Sequence, residues 1–187
     1  MHYPVFLDLR DRPVAVIGGG KVAASKIKGL LDAGAKVTVI APRIDSSISA
    51  FGSGVEKVER GFFSGDLDGK WFVVAAATPE VNRAVADAAE GRCLFVNAVD
   101  DKGSATAFLG GVVRKGPVTL AISTDGSAPA LAGLLREALE EVLPEDVALW
   151  TPLANELRQE HKRDGIPLSD RRPLLLHALN KLYGSEK

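Results

Sequence analysis

The chain has 187 residues, 46% of them hydrophobic, and a formal net charge of -1. That is apolar material for one good core, or for one domain plus an appendage, without the basic excess of a chain that binds nucleic acid through its overall charge. No apolar run reaches the roughly 20 residues that cross a bilayer, and no basic-then-apolar leader precedes the first strand-like run, so a cytoplasmic protein with no nucleic-acid or membrane partner is expected.

In "RPVAVIGGGKVAASKIKGLLDAGAKVTVIAP", residues 12–42, "VAVI" at 14–17 reads as a buried parallel strand. Val22, Ala23, Ile27, Leu30 and Leu31 then fall at helical spacing, and Gly34 stops that helix as a C′ residue. "KVTVI" at 36–40 is the next strand, which completes a parallel crossover in about thirty residues. Gly18, Gly20 and Ala23 match G-x-G-x-x-[G/A] between strand and helix. The first glycine permits a tight turn, the second lets a pyrophosphate approach the backbone, and the third small residue lets helix and strand pack closely. The helix N-terminus offers N–H groups and partial positive charge to phosphates. The alternative, a glycine-rich connection that binds nothing, fits the full strand-turn-helix context poorly. The acid that commonly reads the ribose at the end of the second strand is missing: Ala41, Pro42 and Arg43 stand there, and Asp45 comes late. Arg43 either reads a 2′-phosphate, which favours NADP, or is a solvated loop arginine.

"VEKVER" at 55–60 alternates like an exposed strand, and "WFVVAAA" at 71–77 reads as a buried one. "TPEVNRAVADAAEG" at 78–91 is a helix with Thr78 as N-cap, Pro79 at N1 and Gly91 past its end. "LFVNAV" at 94–99 is another buried strand. Cys93, the single cysteine, is expected as a small buried apolar residue and suits a reducing compartment. Strands alternating with helices predict an α/β sheet wound in the Rossmann manner. Strand ends line the crevice of such sheets, so Asp100, after "FVNAV", is either a base beside a cofactor or, with Asp101, one of two exposed loop acids.

Residues 104–124 predict two strands joined by a turn at Arg114–Pro117. Ser123, Thr124, Gly126 and Ser127 crowd a strand-to-helix turn that either holds anions through N–H groups or is an ordinary helix start capped by Ser127. The helix over 127–143 has an apolar face of Leu131, Leu134, Leu135, Ala138, Leu139 and Val142, and Pro144 ends it. From Glu145 the chain reads helical, with a kink before Pro152, a break at "GIPLSD" and a last helix in "RRPLLLHALNKLYG". His161 is expected on a solvated face and His177 half-buried; no cluster has metal-ligand spacing, so no metal site is predicted. The expected organisation is a Rossmann domain over 1–111, a dimerisation segment over 112–143 and a helical domain over 144–187. A lone hairpin is marginal and exposes its edges, and a twofold partner supplying the same elements covers them. The alternative is a monomer in which the hairpin extends its own sheet.

"GGGKVAASK", "FVNAVDD" and "AISTDGSAPALAGLLREALE", in this order, with "RPVAVIGGG" within the first twenty residues and "AAATPEVNRAV" before the acid, resemble the precorrin-2 dehydrogenase family, the N-terminal module of sirohaem synthases. The resemblance covers most of residues 1–145. It implies NAD-dependent oxidation of precorrin-2 to sirohydrochlorin, followed in some members by ferrous iron insertion, and a homodimer. It implies Asp100 as the catalytic acid of "NAVD". It tolerates the missing ribose acid, which favours NAD, and it often has serine where Thr124 stands. The expected nucleotide set is Gly18, Gly19, Gly20, Lys21, Val22, Ala41, Pro42, Thr78 and Asn97. The expected substrate set is Ser123, Thr124, Gly126, Ser127 and Arg114. A substrate with eight carboxylates calls for basic groups and helix N-termini, and Lys102, Lys115 and Arg136 are further contacts or plain surface charges. The competing reading is a non-catalytic NAD(H)-sensing module, which needs no base at the crevice.

Overall fold

The computed structural model describes residues 2–184. In chain order the elements are β1 (Pro13–Ile17), α1 (Lys21–Asp32), β2 (Lys36–Ile40), α2 (Ser46–Ser49), β3 (Val55–Val58), β4 (Phe72–Ala75), α3 (Pro79–Glu90), β5 (Phe95–Ala98), β6 (Gly111–Lys115), β7 (Val118–Ile122), α4 (Pro129–Val142), α5 (Val147–Arg163) and α6 (Leu168–Gly184). They fall into two units, residues 1–109 and 110–187.

In the first unit five parallel strands lie in the order β3-β2-β1-β4-β5, a Rossmann sheet with its switch point between β1 and β4. The strands are apolar throughout because helices cover both faces. Val14, Val16, Val37, Val39 and Val74 pack with Ala23, Ile27 and Leu30 of α1. Ala15, Ile17, Val73 and Ala75 point the other way and pack with Val85 and Ala89 of α3. Each fully buried Val or Ile contributes roughly 1.5–3 kcal/mol to this sandwich. Gly34, at φ +77, ends α1 as its position in sequence predicts.

Two details of the first unit depart from the sequence reading. Cys93 is exposed, in a turn at φ +52, because the chain leaves α3 through a tight reversal before β5 begins at Phe95. Residues 104–107 form no hairpin strand; they return along β5, where Val96 O accepts the Thr106 and Ala107 N–H groups at 2.9 Å each. The Thr106 hydroxyl oxygen accepts the Val96 N–H at 2.9 Å.

The second unit is an antiparallel hairpin, β6–β7, with three helices. Its turn is Gly116-Pro117, and a Cβ on Gly116 (φ +55) would come within 2.7 Å of the Ala148 methyl. Ala132 and Val147 are buried, whereas Leu131, Leu134, Leu135 and Val142 of α4 are exposed. The N-cap of α4 is Ala128, not Ser127, whose hydroxyl instead donates to Thr124 O. α5 runs unbroken through Pro152, and α6 starts at Leu168 with Pro173 inside it. Each proline forgoes one backbone bond near a helix start without ending the helix. His161 is buried, next to the reversal over 164–167 in which the Ile166 N–H bonds His161 O at 2.9 Å; His177 is exposed. Among the described residues no helix is long and apolar enough to cross a membrane.

Candidate functional site

The three glycines after β1 do three different jobs. At Gly18, φ +128, a Cβ would lie 2.2 Å from Ala76 O, so the turn presses against the loop after β4. At Gly19 a Cβ would lie 2.0 Å from Arg43 O and 2.9 Å from the Ala41 methyl, so this residue closes on the loop after β2. At Gly20 nothing lies within 4 Å. Gly20 is also the N-cap of α1, in extended conformation and with no side-chain cap. Lys21 and Val22 are exposed, Ala23 is fully buried, and the first N–H groups of α1 have no intrahelical acceptor. One open face with free donors and a helix dipole behind it is a pyrophosphate cradle. These residues fit a dinucleotide.

The loop after β2 is held to this turn by the Asp45 N–H on Gly19 O at 2.8 Å. Ala41 is buried; Pro42 and Arg43 are exposed. The Asp45 carboxylate caps α2, accepting from the Ser47 N–H at 2.9 Å and hydroxyl at 2.6 Å. Ser47's hydroxyl, then its N–H and the Lys21 charge, hold that carboxyl below the usual aspartate range. The late acid is thus occupied, and no carboxylate stands ready for a ribose at the end of β2.

Across the switch point, Ala76 N–H bonds Ile17 O at 2.8 Å and Ala77 N–H bonds Asn82 Oδ1 at 3.0 Å. Thr78 occupies the N-cap position of α3 without capping it through its side chain. Glu80's own N–H and then the Thr78 hydroxyl lower the Glu80 carboxyl instead. Asn97 is buried and its amide donates to Ala107 O at 3.0 Å, so it ties the returning segment to β5.

The two acids after β5 differ sharply. Asp101 accepts from the Gly103 N–H at 3.1 Å, the Ser104 N–H at 3.2 Å and the Ser104 hydroxyl at 2.7 Å. Ser104's hydroxyl chiefly, then these N–H groups and the Arg83 charge, hold the Asp101 carboxyl below its ordinary range. Asp100 is exposed, sits at φ +58, and makes no side-chain hydrogen bond among the described residues. A left-handed aspartate is uncommon and repays attention at a crevice. Here the loop uses one acid as its tie and presents the other.

In the second unit the Thr124 hydroxyl donates to Ala128 O at 3.0 Å, the Asp125 N–H bonds the Ser123 hydroxyl at 3.2 Å, and Gly126 turns at φ +64. Arg114 is exposed. Lys115 is spent on Leu143 O and Glu145, at 2.8 and 2.6 Å, and Arg136 pairs with Glu137 and Glu140. Among the described residues no group of three or more His, Cys, Asp or Glu side chains could hold a metal ion. Sequence reasoning missed Gly19 as a packing requirement, Asn82 as the partner of Ala77 and Asp101 as a loop tie. The only signals in sequence were a third glycine, a polar residue on an apolar helix face and an Asp three residues before a Ser.

Residues 5–111 match the family model described as "Putative NAD(P)-binding", and residues 115–141 match the one described as "Sirohaem biosynthesis protein central". The chain is 38% identical over 174 residues to Siroheme synthase 3 of Aeromonas hydrophila, covering 91% of this chain and 37% of that one. It is 36% identical over 187 residues to Siroheme synthase 2 of Yersinia pestis, covering 98% and 40%. It therefore spans about two fifths of the curated relatives it matches. The solved structure of SirC, precorrin-2 dehydrogenase, superposes with a TM-score of 0.72 at 29% identity, covering 94% of this chain and 88% of that one. Similar over most of its length to these sirohaem synthases and to SirC, and matched over its glycine cradle and sheet by the NAD(P)-binding model, the chain belongs to that NAD(P)-binding family.

Proposed function

We propose that the protein oxidises precorrin-2 to sirohydrochlorin with NAD, as a step of sirohaem biosynthesis. The observation that carries this reading is the pairing, within one unit, of an open glycine cradle with a presented carboxylate at the end of β5. Bound NAD supplies the hydride acceptor. The Gly18–Gly20 turn and the start of α1 bind and orient its pyrophosphate, with Ala41, Pro42 and Thr78 on the flanking loops. The substrate gives up a hydride and a proton, and a carboxylate oxygen of Asp100 takes the proton. Ser123, Thr124, Gly126, Ser127 and Arg114 are assigned to substrate carboxylates, the first four through the turn that opens α4. Ferrous iron, where it is inserted, is substrate rather than resident cofactor, and Asp100 is the acceptor for the pyrrole protons it displaces. NADH absorbance should appear only when precorrin-2 and NAD are both present. Tight NAD binding without turnover would favour the sensor reading instead.

NAD is the cofactor in preference to NADP. No carboxylate at the end of β2 repels a 2′-phosphate, but the family relationship to NAD-dependent precorrin-2 oxidation outweighs one exposed arginine. A higher kcat/KM with NAD than with NADP is expected, and Arg43→Ala should leave that ratio in place. A strong NADP preference abolished by Arg43→Ala would show that the arginine reads the phosphate.

The protein is proposed to act as a homodimer through the outer face of α4, in the cytoplasm, where an exposed thiol such as Cys93 stays reduced. Leu134 is 64% exposed and Val142 76%, beside Leu131 and Leu135, an apolar stripe of the kind that marks an interface. Sedimentation equilibrium should give twice the 19.7 kDa chain mass, and Leu135→Lys should give a folded, inactive monomer. A single 19.7 kDa species at micromolar concentration for the unmodified chain would sink the dimer.

A further inference from the structure

We infer that Asn82 is a positioning residue of the nucleotide site: it fixes the wall of the crevice that Gly18 leans on. This rests on the dinucleotide reading of the glycine turn. Asn82 lies in the first turns of α3, where the remaining buried residues, Val85 and Ala89, are apolar; it is 3% exposed. A buried amide in that setting costs free energy unless its hydrogen bonds are made. Its Oδ1 accepts the Ala77 N–H at 3.0 Å, and its own N–H bonds Thr78 O at 2.9 Å. One residue therefore grips the loop on both sides of the Ala77–Thr78 peptide.

That loop is one wall of the crevice. It follows β4, the strand across the switch point from the glycine turn, and ligands of open α/β sheets bind there. Ala77 and Thr78 are exposed, while Ala76 O stands where a Cβ on Gly18 would be, at 2.2 Å. With no slack between Ala76 and Gly18, a loop that shifts by a few tenths of an ångström moves the turn or opens the cleft. The Asn82 side chain holds the loop's own backbone at Ala77, whereas the Thr78 hydroxyl engages the Glu80 carboxylate and does not cap α3. Loss of the acceptor leaves the Ala77 N–H to seek water, and the loop moves toward solvent. The dinucleotide then meets a wall that is no longer preorganised, and its binding bears the cost.

The test compares Asn82→Leu, which keeps the branched shape and removes the acceptor, with Asn82→Asp, which keeps an acceptor oxygen and places its charge in the favourable field of a helix N-terminus. NAD binding is read by calorimetry, and KM and kcat with precorrin-2. Asn82→Leu is expected to weaken NAD binding about tenfold or more, with KM for NAD rising alike and KM for the tetrapyrrole unchanged. Asn82→Asp is expected to stay within about threefold of the wild type. Should Asn82→Leu not fold, Asn82→Ala, which also lacks an acceptor, carries the same comparison. A folded Leu or Ala variant that binds NAD like the wild type overturns the inference, and so does an Asp variant weakened as much as the Leu variant. A wild-type chain that does not bind NAD overturns the dinucleotide reading itself and this inference with it.

Discussion

Gly20→Asp is expected to abolish NAD binding while leaving the chain folded. A Cβ at Gly20 meets nothing within 4 Å, and the residue already has the extended φ of -93° that any side chain adopts. It is the N-cap of α1, where aspartate outranks glycine by a few tenths of a kcal/mol, so the unliganded protein should melt no lower than the wild type. The same side chain puts a negative charge where the pyrophosphate must lie. Two like charges at 4 Å cost about 4 kcal/mol at the effective dielectric of a protein surface, against about 2.7 kcal/mol for a hundredfold in affinity. A loss of at least a hundredfold by titration calorimetry is therefore expected. Gly19→Ala should do the reverse of this separation. Its Cβ would meet Arg43 O at 2.0 Å, which is backbone and cannot rotate away, so the melting temperature should fall first and binding with it. Unchanged NAD affinity in Gly20→Asp would remove the turn from the site.

The difference between these neighbouring glycines shows what a sequence can carry. The G-x-G-x-x-A spacing gave the open position and the buried Ala23, because those follow from a strand, a turn and a helix that are contiguous in the chain. Gly19 faces Arg43, 24 residues away, and Gly18 faces Ala76, further still; no local pattern encodes such contacts. The five-stranded sheet was legible for the same reason as the cradle. Each buried strand is a short β-branched run bounded by turn residues, and each helix has its period and its stop. The exposed Cys93 was not legible, since an apolar run does not say where within it the strand begins. Residues 104–107 read as strand because they are small and partly apolar, yet their partner is an edge of β5 and not a hairpin mate. His161 has charged neighbours in sequence on both sides, yet it is buried, where the chain reverses into α6.

Asp100→Asn is expected to cut turnover by roughly a hundredfold or more, the usual scale for a lost general base, with NAD binding little changed. Asparagine is the informative replacement because residue 100 sits at φ +58. Asn tolerates that left-handed region as Asp does, whereas Ala there costs roughly 1–2 kcal/mol, so Asp100→Ala mixes a backbone penalty with the loss of the base. Asp101 provides the opposite control. Its carboxylate holds Gly103 and Ser104 through three hydrogen bonds, and Asp101→Asn keeps an oxygen for the two N–H groups. It should therefore retain most of the turnover, while Asp101→Ala frees the loop and lowers turnover less than Asp100→Asn does. The Asp101 carboxyl is depressed in the folded state, so its tie is present at neutral pH and is lost only as pH falls through that lowered value. At neutral pH Asp101 is therefore ionised with its hydrogen bonds in place, and a rate difference between the two asparagine variants reports on the reacting carboxylate rather than on loop order. Steady-state rates of NADH formation decide it: a damaged Asp101→Asn beside an active Asp100→Asn would move the base one residue along the chain.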